Sequence, residues 1–378
     1  MIPKSTIDPI SSRRRWARQA AALLAACTLA GGAWAQSKVL NVYNWSDYIG
    51  DDTIANFEKE TGIKVRYDNY DSNETLHAKL VAGRSGYDIV VPSSNWGKLQ
   101  LEGGLLQKLD KSKISNYANL DPAVMKQLTG MDPGNQHLVP WLWGITTLGI
   151  NVDKVKAALG STPMPDNAWD LLFKPEYLSK LKSCGVSVLD SADEVFPAAL
   201  RYIGKPAYSR NPADYQEAAK MLSAIRPYIT LFSSSGYINE LASGSICLAL
   251  GWNGDIGTAS NRAKEAKNGQ NIQILVPKSG AVLFFDTMAI PADAQNLENA
   301  YKFINYVLRP EVQAGIVNKV PFANPVRAAD KLIKPEVSGN AAVFLKPDDL
   351  AKMTPPDAVN NDIRRTRTRL FTTFKTGL

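Results

Sequence analysis

Apolar and polar positions fall into a regular order from residue 39 onward. Residues 39–43, Val-Leu-Asn-Val-Tyr, are β-rich and apolar-biased, which predicts a strand. Asp51-Asp52-Thr53 then offers a helix N-cap, residues 54–60 read as helix, and Gly62 stands where a C-cap glycine belongs. Residues 63–67 predict a second strand. Ser72-Asn73-Glu74 opens a second helix that stops near Gly83, and residues 87–91 predict a third strand cut short by Pro92. A β-α-β-α-β series with short connections predicts a parallel sheet covered on both faces.

Farther along the pattern is less regular but keeps the same grammar. Gly185 is a breaker before the predicted strand 186–189, and residues 248–250 predict another strand, followed by the turn Gly251-Trp252-Asn253-Gly254. Residues 272–276 and 283–285 predict further strands, and residues 299–308 an amphipathic helix stopped by Pro310. No internal repeat is visible. A chain of 378 residues exceeds what one core usually serves, so the pattern predicts two α/β lobes, each with its own sheet.

The first 35 residues follow none of this. Arg13, Arg14, Arg15 and Arg18 precede an uncharged Ala/Leu-rich run that ends in Ala33-Trp34-Ala35, the small-x-small pattern of signal-peptidase cleavage. The run has only Leu23, Leu24 and Leu29 as large aliphatics, too few for a firm bilayer anchor. The reading is a signal peptide over residues 1–35, cleaved after Ala35. Lipidation at Cys27 within Leu24-Ala25-Ala26-Cys27 ranks second, and Ser12-Arg13-Arg14 leaves the export route open.

Charge then changes the picture little. The leader holds five basic residues and one acidic, so only about +3 of the formal +7 belongs to the mature chain. That is too little to argue for nucleic acid. Arg364, Arg365, Arg367 and Arg369 read as a solvated helix face, since no aromatic platform accompanies them. Without Cys27, two cysteines remain, Cys184 and Cys247. An even pair in an exported chain points to one disulfide, with two unpaired thiols as the alternative.

Catalytic signatures are missing: no G-x-S-x-G, no G-x-x-x-x-G-K-[ST], no H-E-x-x-H, and only two histidines, His77 and His137. What is present sits where open α/β sheets bind ligands, beyond the carboxyl ends of strands. Those places hold Asn44-Trp45-Ser46-Asp47-Tyr48, Ser93-Ser94-Asn95-Trp96 and residues 252–255, joined by Phe284-Phe285-Asp286. An alkyl diamine at neutral pH has an ammonium at each end and an apolar middle. Carboxylates must compensate each buried ammonium, and aromatic faces can line the methylenes and attract the cation.

At these residues the chain resembles the periplasmic polyamine-binding proteins of ABC importers, most closely their putrescine-binding branch. The matching stretches include residues 43–49 (Tyr-Asn-Trp-Ser-Asp-Tyr-Ile), 56–65, 90–93, 183–190, 251–255 and 259–269. The resemblance implies a non-catalytic, two-lobed periplasmic binding protein fold of type II with ligand in the interlobe cleft. It assigns lobe 1 to residues 36–142 and about 264–318, and lobe 2 to about 143–263 and 319–378.

It also implies a site in which Trp45, Tyr48, Trp252 and Phe284 form aromatic walls. Asp286 and Asp255 would meet one ammonium and Glu194 the region of the other, with Ser46, Asp47 and Ser93 completing the polar lining. Phe322 stands where the putrescine branch typically has Tyr, so the wall is kept and one hydroxyl lost. No cofactor or metal is implied. The implied partners are putrescine or a related polyamine and an inner-membrane ABC permease, for a periplasmic monomer that binds no nucleic acid. A spermidine preference, or a receptor subunit of a signalling system, are the alternatives.

Overall fold

A computed structural model describes residues 38–377. The expected leader, Cys27 included, lies outside them. The first sheet is three-stranded and parallel, in the order β2-β1-β3, with β1 Val39–Trp45, β2 Lys64–Tyr70 and β3 Ile89–Val90. Its crossovers are α1 (Thr53–Thr61) and α2 (Asn73–Val81). Helix α1 ends on Gly62 at φ 69°, a left-handed position that glycine occupies without Cβ strain. The Ser72 hydroxyl caps α2 by accepting from Thr75 N–H at 3.2 Å.

The second sheet runs β6-β5-β7-β4-β8, and β9 also pairs with β4. Here β4 is Val139–Asn151, β5 Val186–Val188, β6 Leu231–Phe232, β7 Leu248–Trp252, β8 Ile272–Leu275 and β9 Val282–Met288. Strands β5, β6 and β7 are mutually parallel, while β4 is antiparallel to β7, β8 and β9. The other helices that frame the site are α3 (Ser94–Glu102), α4 (Ala192–Tyr202), α5 (Tyr237–Ser243) and α6 (Asn253–Glu265), with α7 (Asn361–Thr376) near the C-terminus.

Two strands tie the sheets together. Strand β4 pairs with β9 along its first half and with β7 and β8 along its second. Isolated bridges join Val90, at the end of β3, to Ala289, just after β9, and Ser93 to Asp286 of β9, so the β9 segment reaches the first sheet as well. The cores divide accordingly. Val139, Trp141 and Leu142 of β4 pack in the core of the first sheet, whereas Ile145, Leu148 and Ile150 pack in that of the second.

Each core draws on several stretches of the chain. Ile272 and Ile274 lie in the second core, because β8 pairs with β4, while Val320, Phe322, Val326 and Ile333 lie in the first. Strand β4 was not expected at all. Its continuous burial erases the alternation that marks a half-exposed strand, and Pro140 and Gly144 read as breakers.

Cys184 and Cys247 are joined, with Cα atoms 5.5 Å apart. Each lies just ahead of a strand, and those strands, β5 and β7, are neighbours with Val186 opposite Leu248. The bridge closes a separation of 63 residues, for which the expected stabilisation is about 2–4 kcal/mol. Urea unfolding with and without reductant measures it. Alkylation of the denatured, unreduced protein should leave both positions unmodified; free thiols at 184 and 247 would refute the bridge.

Candidate ligand-binding site

Beyond the carboxyl ends of β1, β2, β3 and β7, and beside β9, lies a narrow cavity. It leaves about 40 Å³ for the centres of water-sized spheres, where a single water needs about 10–15 Å³. Nine residues expected from sequence line it together: Trp45, Ser46, Tyr48, Ser93, Trp252, Asp255, Phe284, Asp286 and Phe322.

The aromatic walls hold one another. Trp45 lies 4.6 Å from Tyr70 and 6.2 Å from Trp252 between ring centroids, and its indole N–H donates to the Val91 carbonyl at 2.9 Å. Phe322 meets Tyr48 and Phe284 edge-on at 5.1 and 5.9 Å. Only glycine permits this packing. A Cβ on Gly254 would come 2.4 Å from the Phe322 ring.

Asp286 is 5% exposed and Asp255 9%. Asp286 accepts from the Ser93 hydroxyl at 2.7 Å and from the Tyr48 hydroxyl at 2.9 Å. Asp255, in the first turn of α6, accepts from the Tyr237 hydroxyl at 2.9 Å. Glu194 accepts from the Thr146 hydroxyl and the Trp252 side chain. These partners are hydroxyls and an indole; none is a Lys or Arg. Burial pushes Asp286 and Asp255 up to about 7, even though the hydroxyl hydrogen bonds pull the other way. Glu194 is raised for the same first reason. The cavity is therefore a place where negative charge is costly until a cation arrives.

Two expected residues stand apart from the lining. Asp47, its side chain 48% exposed, forms an ion pair with Arg262 of α6 at 2.9 Å. Glu194 is not in the lining itself but is bound to Trp252, which is, and to the Thr146 hydroxyl. The lining also includes Tyr70, Asp71, Ser234, Ser235 and Ile238, which sequence reading missed. Tyr70 and Asp71 end β2, and Ser234 and Ser235 follow β6. The strand-end rule covers both places, but β6 has only two residues and gave no pattern to read. Among the described residues, no cluster of three or more His, Cys, Asp or Glu could hold a metal ion.

The basic run of α7 is solvated only in part: Arg365 and Arg369 are exposed, but the other two are not. Arg367 is 3% exposed and paired with Asp193, whose second oxygen accepts from the Trp96 indole. Arg364 sits over the Trp96 ring at 4.9 Å. The aromatic partner was 268 positions away in the chain, beyond the reach of any local pattern.

The family model described as bacterial extracellular solute-binding protein matches residues 52–344. The chain is 51% identical over 344 residues to the putrescine-binding periplasmic protein PotF of Escherichia coli, covering 91% of this chain and 93% of that one. It is 47% identical over 366 residues to the putrescine-binding periplasmic protein SpuD of Pseudomonas aeruginosa, covering 96% and 99%. The solved spermidine/putrescine ABC transporter substrate-binding protein PotD of Streptococcus pneumoniae superposes with a TM-score of 0.72 at 28% identity, covering 90% and 99%. The architecture is the two-lobed, type II periplasmic binding protein fold. With its fold and cavity alike accounted for, the chain belongs to the bacterial extracellular solute-binding proteins.

Proposed function

We propose that this protein is the periplasmic binding subunit of an ABC importer, that it captures putrescine in the cavity between its two sheets, and that it delivers the diamine to an inner-membrane permease. The carrying observation is a pair of buried carboxylates, Asp286 and Asp255, that form no ion pair among the described residues and face an aromatic cavity. A buried carboxylate wants a counter-charge, and a diammonium chain brings one. The two named relatives, at 51% and 47% identity, bear the same functional description.

In this reading the two cores are the two lobes, and the ligand lies between them. Asp286 and Asp255 meet one ammonium. Trp45, Tyr48, Trp252, Phe284 and Phe322 enclose the methylenes, Ser46 and Ser93 supply polar lining, and Glu194 serves the second ammonium. Asp47 stays at the rim with Arg262. Phe322 presents no hydroxyl, so the wall acts by contact alone. The working form is a monomer released from its leader.

Chain length follows from the distal end. Ser191, the N-cap residue of α4, lies three positions before Glu194 and brings no carboxylate. Both oxygens of the neighbouring Asp193 are already engaged by Arg367 and Trp96. The one further carboxylate of the lining, Asp71, is exposed at the end of β2, so an internal ammonium at the Ser191 end would be buried without a partner, at a cost of several kcal/mol that exceeds the gain of about 0.8 kcal/mol per added methylene. Calorimetry against putrescine, cadaverine, spermidine and spermine should rank putrescine above spermidine by at least about tenfold, a gap of about 1.4 kcal/mol. Ser191→Asp with Phe284→Trp should narrow it. Tighter binding of spermidine would overturn the length preference, and no binding of any of the four would overturn the function.

A further inference from the structure

We propose that Asn73 and Tyr237, which lie a layer behind the cavity, are positioning residues that fix the direction of the hydrogen bonds reaching its two carboxylates. The inference rests on the polyamine reading above and concerns how the carboxylates are kept ready for a cation.

A hydroxyl has one proton and can turn it either way, so its direction is set by its other neighbours. At Asp255 that neighbour is a backbone amide. The Tyr237 oxygen lies 2.9 Å from Asp255 Oδ2 and 3.1 Å from the Trp252 N–H. The amide can only donate, so the phenol proton points to Asp255. The Tyr237 ring is held firmly in place, since it is fully buried and a Cβ on Gly251 would come 2.5 Å from it.

At Asp286 the neighbour is a side-chain amide. Ser93 N–H donates to Asn73 Oδ1 at 3.1 Å, which orients the Asn73 amide and leaves Nδ2 facing Ser93 Oγ at 3.1 Å. Ser93 Oγ thus accepts from Asn73 and donates its one proton to Asp286 Oδ1 at 2.7 Å. The two arrangements share one logic on different elements: a fixed donor, a hydroxyl, a carboxylate. A free hydroxyl could turn and accept from a protonated acid. A fixed one only donates, which favours the carboxylate form and leaves its remaining lone pairs for an ammonium.

Other charges face the same atoms. Asp47 and Asp286 act on Asp255 to disfavour its charge, and Arg262 favours it. Glu194 disfavours the charge on Asp286, which also receives the Tyr48 hydroxyl; Tyr70 lies close enough to feel that carboxylate. None of these groups has its direction set by Asn73 or Tyr237.

The test measures putrescine affinity by calorimetry from pH 6 to pH 9 for wild type, Tyr237→Phe, Asn73→Ala, Ser93→Ala and the Asn73/Ser93 double variant, with thermal melts alongside. Tyr237→Phe should weaken binding about tenfold at pH 7. It should also move the pH at which affinity levels off upward by about one unit, because the carboxylate has lost a donor. Asn73→Ala should weaken binding in the Ser93 protein and have no further effect in the Ser93→Ala protein, since it acts through that hydroxyl. A wild type that binds no diamine overturns the functional reading itself. A wild type that binds, with a folded Tyr237→Phe whose pH profile is unmoved or with additive Asn73 and Ser93 losses, overturns the positioning roles. Should Tyr237→Phe fail to fold, the Asn73/Ser93 cycle decides alone.

Discussion

Asp286→Asn should weaken putrescine binding by about two to four orders of magnitude, whereas Asp47→Asn should weaken it by less than about tenfold. Both changes remove one negative charge near the same cavity, so burial decides between them. Asp286 is 5% exposed, and removing one partner of a buried charge pair costs about 3–5 kcal/mol. The ligand-free fold should tolerate the change. The new amide nitrogen can face the Tyr48 oxygen as donor once that hydroxyl turns, while the carbonyl oxygen still accepts from Ser93.

Asp47 is different on each count. Its side chain is 48% exposed, and its partner is Arg262 rather than a hydroxyl of the lining. Exposed ion pairs contribute about 0.2–1 kcal/mol. Its backbone sits at φ 54°, a left-handed conformation that Asn tolerates, so the substitution leaves the turn intact. Calorimetry on both variants, with melting curves as a folding control, makes the comparison. Equal losses would mean that the depth of the two carboxylates has been misjudged.

Putrescine affinity should rise by about a hundredfold between pH 6 and pH 8, and then level off. In the ligand-free protein burial holds Asp255 and Asp286 up to about 7. Both amines of putrescine remain protonated throughout that window, so the bound state demands carboxylates. Below pH 7 each acid must give up a proton before it can pair, at up to about tenfold in affinity per pH unit per acid. At pH 7 binding should release about one proton in total, half from each acid. Calorimetry in two buffers of different ionisation enthalpy counts it.

The sign for stability is opposite. An Asp whose folded pKa lies above its unfolded value binds more protons in the native state, so these two groups make the ligand-free fold less stable as pH rises from about 4 to about 7. Ligand reverses the trend by supplying the missing charge. An affinity that stays flat from pH 6 to pH 8, with no proton released, would show that both acids are already ionised in the empty cavity.

Much of this was legible in the chain, and the reason is locality. The first three strands and two helices follow from alternation, caps and glycines that lie within a few residues of one another. The aromatic-acid loops were visible because strand ends and their chemistry are adjacent in sequence, as at Trp45, Ser46 and Tyr48 or at Phe284 and Asp286. The cysteine pair could be counted, though not placed.

What local pattern could not reach is whatever depends on contacts between distant segments. Strand β4 is buried almost throughout and pairs with strands about a hundred residues or more away, so it carries no period. Arg367 reads as solvated until Asp193 and Trp96 meet it. Asp47 and Asp286 are alike as letters, each an acid next to aromatics. Only the fold makes one a rim charge paired with Arg262 and the other a buried carboxylate held by Ser93 and Tyr48. Residue identity determined which chemistry this protein could offer a ligand. Desolvation, which arises only when remote segments close over a side chain, decided which of those groups hold that chemistry in a state worth binding to.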